Sequence, residues 1–183
     1  MTNIKPQTAL MGLETPATIL AWSVATFGPR TARQIATRAS REVNELMTAI
    51  LSGGTLESIH EELADCAIML WQVAALSGIP HRPEIVQTDA LRVVGRELLA
   101  LRFQRRLTVF LEETYMSSDE VAATVFRDVL RILEALIFVY GGSITEFVDT
   151  KMGINREREW LKLSDGNYQH AVVGLHTAAE VAQ

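Results

Sequence analysis

Residues 31–76 read TARQIATRASREVNELMTAILSGGTLESIHEELADCAIMLWQVAAL, and this stretch decides the fold. Apolar residues recur every three or four positions on both sides of Gly53-Gly54, which is the pattern of amphipathic helices. Thr31 and Thr55 stand where N-caps belong, and the glycine pair stands where the first helix should stop. The stretch therefore predicts two consecutive helices joined by a short turn.

Two acidic pairs lie beside the apolar stripes of these helices. Glu42-x-x-Glu45 belongs to the first helix and Glu62-x-x-Asp65 to the second, and each i, i+3 pair projects from one helix face. On a helical wheel, Glu42 and Glu62 fall inside the apolar arcs, whereas Glu45 and Asp65 fall at their edges. Most glutamates are solvated surface residues. Two such pairs on consecutive helices, each touching an apolar arc, favour an inward-facing site instead.

Carboxylates that converge in an apolar setting repel one another and lose hydration. Such a site is tenable only when protons or cations neutralise it. Hard oxygen ligands suit Mg²⁺ or Mn²⁺, so we expect one of these ions as the cofactor. Oxygen-ligated Mg²⁺ commonly serves phosphate chemistry, which points to hydrolysis of a nucleotide polyphosphate.

Composition sets further limits on the class of protein. The chain has 183 residues, of which 48% are hydrophobic, and a formal net charge of −5. This hydrophobic content excludes a disordered chain, and the negative charge disfavours a nucleic-acid partner. The single cysteine, Cys66, excludes an internal disulfide and fits a buried apolar position. No signal peptide or membrane-spanning run is recognisable, so we expect a soluble cytoplasmic protein with no membrane partner.

The helix start and stop signals in the rest of the chain predict an all-α fold. We expect a bundle of about six helices in one domain over residues 1–183. Capping residues, glycines and prolines bound the helices, and no strand alternation of useful length is present. The predicted helices run from Thr15-Pro16 to Gly28, Thr31 to Leu51, Thr55 to Ser77, Thr88 to Tyr115, Ser117 to Gly141-Gly142, and Ser143 to Trp160.

A faint internal repeat divides the chain into a metal-binding half, residues 12–80, and a second half, residues 88–160, followed by a tail, residues 161–183. The segment from Asp65 to Gly78 has the same length as that from Asp128 to Gly141. Aligned on these aspartates, the counterparts of Glu42, Glu45 and Glu62 are Arg105, Thr108 and Val125. The second half is thus a degenerate helix pair without the acids, unless the similarity is chance.

Cations and an amide cluster near the end of the sixth predicted helix. Lys151, Asn155 and Arg158 stand at i, i+4 and i+7 and therefore share a face, with Trp160 shortly after. A phosphate site needs cations and hydrogen-bond donors of this kind. The alternative is a solvated basic helix end that is favoured by the helix dipole.

The acidic motif resembles that of the all-α nucleoside triphosphate pyrophosphatases, the MazG and dimeric dUTPase superfamily. The order Glu42-x-x-Glu45, a short break, and Glu61-Glu62-Leu-Ala-Asp65 carries the similarity. The segment KMGINREREW at residues 151–160 is similar to the C-terminal Lys/Asn/Arg motif of the family. WSVATFGP at residues 22–29 resembles the start of phage MazG-like proteins that act on dATP and dGTP.

The resemblance implies an enzyme that cleaves nucleoside triphosphates between the α- and β-phosphates, giving a monophosphate and pyrophosphate with Mg²⁺ or Mn²⁺. It also implies residue roles. The metal ligands would be Glu42, Glu45, Glu62 and Asp65, with Glu61 as an accessory acid. Glu42 or Glu45 would activate the water. The nucleotide would be bound by Lys151, Asn155 and Arg158, with Trp22 and Phe27 lining the base pocket. Aromatic residues at helical spacing are alternatively plain core.

The resemblance leaves substrate and assembly open. The opening motif favours purine deoxynucleotides, with a dUTP- or dCTP-type pyrophosphatase as the alternative, and suggests a phage-encoded protein in the host cytoplasm. Simple members of the family complete their bundle with a second subunit, so we expect a homo-oligomer, a dimer or tetramer. The acid-less second half separates the metal helices from the Lys/Asn/Arg segment, and this raises the question of whether that segment reaches the site of its own chain.

Two other classes compete with a pyrophosphatase. A di-iron carboxylate bundle needs Glu-x-x-His on two helices. Glu57-x-x-His60 matches once and has no second copy, and His60 fits a surface position better. A non-catalytic helical interaction module would explain the degenerate second half, but inward acids argue against it because an uncharged core is more stable.

Overall fold

Six α-helices dominate the computed structural model, which describes residues 14–79, 95–116, 119–162 and 168–170. The predicted all-α bundle of about six helices is confirmed. In chain order the elements are α1 (Pro16–Phe27), α2 (Ala32–Leu51), α3 (Leu56–Leu76), α4 (Arg96–Met116), α5 (Asp119–Val139), α6 (Ile144–Glu157), β1 (Trp160–Lys162) and β2 (Tyr168–His170).

The predicted caps start the helices that build the site. The side chains of Thr31 and Thr55 accept hydrogen bonds from backbone amides three residues later, at 3.2 Å in both cases. Ser143 caps α6 in the same way. The turn after α2 contains Gly53 with a φ of +71°, a left-handed conformation that glycine adopts without strain. Local sequence thus fixes where α2 ends and α3 begins.

Helix α3 lies at the centre of the bundle. It packs against α1, α2, α5 and α6. Its inner face carries Leu63, Cys66 and Leu70, all fully buried. Burying apolar side chains of this size stabilises the fold by about 1.5–3 kcal/mol each. Cys66 is therefore a core residue, as predicted, and whatever α3 presents on its remaining face is held by a rigid element.

Helices α4 and α5, the second helix pair, pack against each other. In addition, α4 packs against α2, and α5 packs against α3. Val125, the counterpart of Glu62 in the proposed repeat, is buried in the core. Asp128, the counterpart of Asp65, pairs with Arg106 and lies 3.9 Å from Arg131. The fourth helix begins at Arg96, because Gly95 is not helical, and not at the predicted Thr88. Residues 80–94 and the predicted cap at Ser117 lie outside the described residues.

A short antiparallel hairpin follows α6, where the sequence predicted the end of a helix and an irregular tail. Helix α6 stops at Glu157 because Arg158 is extended, with φ −75° and ψ 138°. Leu161 of β1 then pairs with Gln169 of β2. Strands of three residues are too short to show the alternation by which a strand is recognised in a sequence. Among the helices of the described ranges, none is long and apolar enough to cross a membrane.

Candidate metal centre

Three of the four predicted acids converge between α2 and α3. Glu42 comes from α2, and Glu62 and Asp65 come from successive turns of α3. One carboxylate oxygen from each lies within 4.8 Å of the corresponding oxygens of the other two. These residues, called the acidic triad below, are half-buried. The group could therefore hold a metal ion.

The turn between α2 and α3 packs closely against the end of α2. A side chain at Gly54 would place its Cβ only 2.9 Å from the backbone oxygen of Ala49, so the close approach requires glycine there. Behind the triad, Val43 of α2 and Leu63 of α3 are buried in the core. Because each acid neighbours a buried apolar residue in sequence, packing the core holds the carboxylates at the interface of the two helices.

Burial and mutual repulsion make the charged state of the triad costly. Desolvation, followed by the charges of Asp65, Glu45 and Glu42, raises the pKa of Glu62 from its ordinary value of 4.5 to about 7. Desolvation also raises the pKa of Glu42 and of Asp65. The pKa of the adjacent Cys66 thiol rises because it is wholly buried beside these acids. The cluster therefore needs added positive charge when all its members are ionised.

One oxygen of the triad has no partner within the described residues. Oε2 of Glu62 is buried and accepts no hydrogen bond. A buried carboxylate oxygen that lacks a donor is destabilising by about 1–3 kcal/mol, and more when charged. A divalent cation between Glu42, Glu62 and Asp65 would satisfy it. The donor set, three carboxylates on rigid helices, suits a hard divalent cation.

Glu45 lies outside the triad, although the sequence placed it among the metal ligands. Its side chain is 46% exposed, and its Oε1 accepts a hydrogen bond of 3.1 Å from Nε of Arg41. It remains close enough that its charge raises the pKa of Glu62. Arg38 lies 3.6 Å from Glu42 in the same i, i+4 arrangement. Sequence reasoning missed both arginines, although their spacing to the acids was visible.

Lys151 reaches the triad from α6 of the same chain. Its Nζ lies 2.9 Å from Oδ2 of Asp65 and 3.9 Å from Oε1 of Glu61. The lysine side chain is only 9% exposed, whereas that of Glu61 is 52% exposed. The packing of α6 against α3 brings this contact about. The predicted Lys/Asn/Arg segment is thus adjacent to the acids without a second subunit.

Asn155 and Arg158 continue the same face beyond Lys151. Asn155 is buried, and its Oδ1 accepts a hydrogen bond of 3.2 Å from Nη1 of Arg158. The positive charge of Arg158 helps to lower the pKa of Asp65, against the larger effect of burial. The three predicted nucleotide-binding side chains therefore form one polar strip beside the acidic triad.

An aromatic cluster adjoins this polar strip, and two of its residues belong to α1. The rings of Trp22 and Phe27 meet edge to face with centroids 5.3 Å apart, and that of Trp160 lies 6.2 Å from Trp22 and 5.0 Å from Phe27. Nε1 of Trp160 donates a hydrogen bond of 3.1 Å to the backbone oxygen of Asn155. The sequence suggested Trp22 and Phe27 as base-pocket residues. Trp160 completes the cluster, and the hydrogen bond ties it to the polar strip.

His60 is engaged away from the acids. Its Nε2 lies 2.8 Å from the backbone oxygen of Tyr140, and its ring lies 4.4 Å from that of Phe147. The residue is half-buried rather than at the surface. Glu57, its partner in the single Glu-x-x-His match, is exposed. These positions give no support to a di-iron centre.

Comparison of the chain with protein-family models, with curated proteins and with solved structures finds no match. The functional argument accordingly depends on the acidic triad and on the side chains around it.

The protonation of Glu62 predicts how stability depends on pH. Its pKa of about 7 in the folded chain exceeds the ordinary value of 4.5, so the folded state binds more protons between these values. The free energy of unfolding should therefore fall as pH rises from about 5 to about 8 without metal. Glu62→Gln should remove most of this fall, and Leu56→Ala, a neutral exposed control on α3, should retain it. Urea unfolding at several pH values checks this, and an unaltered slope in Glu62→Gln would contradict it.

Metal binding should stabilise the fold, because a divalent ion offsets the repulsion within the triad. Saturating Mg²⁺ or Mn²⁺ should raise the melting temperature by several degrees, and EDTA should reverse the change. Differential scanning fluorimetry of wild type and of the double variant Glu62→Gln, Asp65→Asn measures this. If neither ion changes the melting temperature of the wild type, that result would count against a metal centre.

Proposed function

We propose that this protein is a metal-dependent nucleotide pyrophosphohydrolase, similar to the all-α nucleoside triphosphate pyrophosphatases of the MazG and dimeric dUTPase superfamily. One observation carries the proposal. The acidic triad, with oxygens within 4.8 Å, lies directly beside a buried lysine from the predicted phosphate-binding segment. Juxtaposed carboxylates and cations are what hydrolysis of a metal-bound polyphosphate requires.

A divalent ion held by Glu42, Glu62 and Asp65 would offset phosphate charge and lower the pKa of a coordinated water. In this scheme Glu42 accepts the proton of the attacking water. A carboxylate with one oxygen that is not committed to the ion can take the proton of that water. Arg38, 3.6 Å away, holds the outer side of that carboxylate. Attack at the α-phosphorus then breaks its bond to the bridging oxygen and releases pyrophosphate.

Lys151 and Arg158 supply the positive charge for the triphosphate. The substrate carries about three to four negative charges, and cations placed along its length favour both its binding and the departure of pyrophosphate. Asn155 contributes by holding Arg158 through its Oδ1 and Trp160 through its backbone oxygen. The polar strip and the aromatic cluster are therefore joined through Asn155.

The aromatic cluster is the candidate base pocket, and in this proposal the substrates are purine deoxynucleotides such as dGTP and dATP. Trp22, Phe27 and Trp160 are each half-buried, so part of each residue lies at the surface. A nucleobase stacks on such rings with a gain of about 1–3 kcal/mol. A dUTP- or dCTP-type pyrophosphatase is the second candidate, because the same aromatic cluster also accepts a pyrimidine.

We also propose self-association into a dimer or tetramer within the cytoplasm, in keeping with the family resemblance. Leu98 and Leu101, one turn apart on α4, are 49% and 47% exposed, and such neighbouring apolar side chains favour an interface. A helical module without catalysis is less well supported, because it gives no reason for the buried, unpartnered Oε2 of Glu62.

Activity should require the acidic triad. With Mg²⁺, wild type should release pyrophosphate from a panel of common NTPs and dNTPs that includes dUTP, fastest with purine deoxynucleotides. Glu62→Gln and Asp65→Asn should each lower kcat/KM by about a hundredfold or more, because both remove an anionic ligand. Glu57→Gln, an exposed acid on the same helix, is the matched control and should retain full activity. Equal rates in all four proteins would refute the proposal.

The aromatic cluster should act on the base and not on the phosphates. Trp160→Ala should raise KM for the preferred dNTP by about tenfold, since stacking is lost. Inorganic tripolyphosphate, which has no base, should inhibit wild type and variant equally. Steady-state kinetics with both ligands provides the measurement. A parallel loss of tripolyphosphate affinity would assign Trp160 a structural role instead.

A further inference from the structure

Lys151 places a positive charge against one of the acids that would hold the metal ion. Its side chain is only 9% exposed, and its Nζ lies 2.9 Å from Oδ2 of Asp65. Asp65 is also a member of the acidic triad. The carboxylate of Asp65 can thus pair with either of two cations, the ammonium of Lys151 or the divalent ion of the proposed site.

These two cations cannot both be held closely without a large electrostatic cost. An ion bound to Asp65 would place two positive charges within about 4–5 Å of the ammonium, where solvent screens them only partly. A buried ammonium in turn needs an anionic partner. Occupation of Asp65 by the ion therefore favours movement of Lys151 to another anion.

Glu61 is an anion toward which the ammonium of Lys151 can move. Its carboxylate lies 3.9 Å from the ammonium and is 52% exposed, so it lies between the buried contact and solvent. The flexible four-carbon chain of lysine allows the ammonium to turn outward past Glu61. Phosphate oxygens of a nucleotide that binds at Arg158 would offer the ammonium a further anionic partner.

We propose that Lys151 is an exchangeable counter-ion, which neutralises Asp65 while no divalent ion is bound and moves to the triphosphate when metal and nucleotide bind. The proposal rests on the proposed metal and nucleotide site. It makes metal binding weak in the absence of nucleotide and couples the two ligands, since each favours the arrangement that the other needs.

Opposite changes in two affinities test this. Lys151→Met keeps a long, unbranched side chain and removes the charged ammonium group. Without nucleotide, Mn²⁺ should bind Lys151→Met about tenfold more tightly than wild type, as the competing charge is gone. A non-hydrolysable α,β-imido dNTP with Mn²⁺ should bind it about tenfold more weakly, as a phosphate contact is gone. Isothermal titration and electron paramagnetic resonance of Mn²⁺ measure both values.

Two controls separate charge from structure. Lys151→Arg keeps the charge and should not tighten Mn²⁺ binding. Arg156→Met removes a cation from the same helix whose partner is Glu14, at 2.8 Å, and should change neither affinity. Weaker binding of both ligands to Lys151→Met would show a structural role and overturn the proposal. Failure of both wild type and Lys151→Met to bind Mn²⁺ would overturn it as well.

A measurement on the wild type avoids any folding defect of the variant. An amine-reactive reagent should modify Lys151 several times faster with saturating Mg²⁺ than with EDTA, relative to Lys5 as the internal reference in mass spectrometry. Equal rates would overturn the proposal. Tighter Mn²⁺ binding by Lys151→Met in a protein that hydrolyses no nucleotide would support the counter-ion role and refute the pyrophosphohydrolase, so the two failures are distinguishable.

Discussion

Repulsion among three carboxylates is the constraint around which this molecule is arranged. Glu42, Glu62 and Asp65 are held within 4.8 Å of one another by helices that cannot separate without opening the core. Three cations surround this charge: an arginine one turn earlier on α2, a buried lysine of α6, and an arginine just after α6. The contact of the buried lysine, 2.9 Å, is shorter than that of the α2 arginine, 3.6 Å.

Helix α3 couples this charge to the fold. The helix buries one face in the bundle and presents the other to α2 and α6, so that Leu63 is in the core while Glu62 and Asp65 face the site. A rigid, central helix suits a metal centre because ligand positions must be held to a fraction of an ångström. The same position means that the site acids weaken the element on which the rest of the packing depends.

Much of this architecture was predictable from local sequence. Caps and glycines gave the helix boundaries, and helical periodicity placed Glu42 and Glu62 inward. Periodicity could not separate Glu45 from Asp65, because both fall at the edge of an apolar arc. Their neighbours decide the matter: Arg41 holds Glu45 toward solvent, and Lys151 holds Asp65 inward. The second contact joins residues far apart in the chain, and the hairpin after α6 likewise depends on pairing that no local pattern encodes.

In the predicted repeat, the second helix pair corresponds to the first without its acidic pairs. In the aligned positions, a buried valine replaces the central glutamate, and the aspartate has arginine partners within its own pair. The first pair is therefore less stable than an uncharged pair would be, which is the trade-off between stability and function that sites of this kind show.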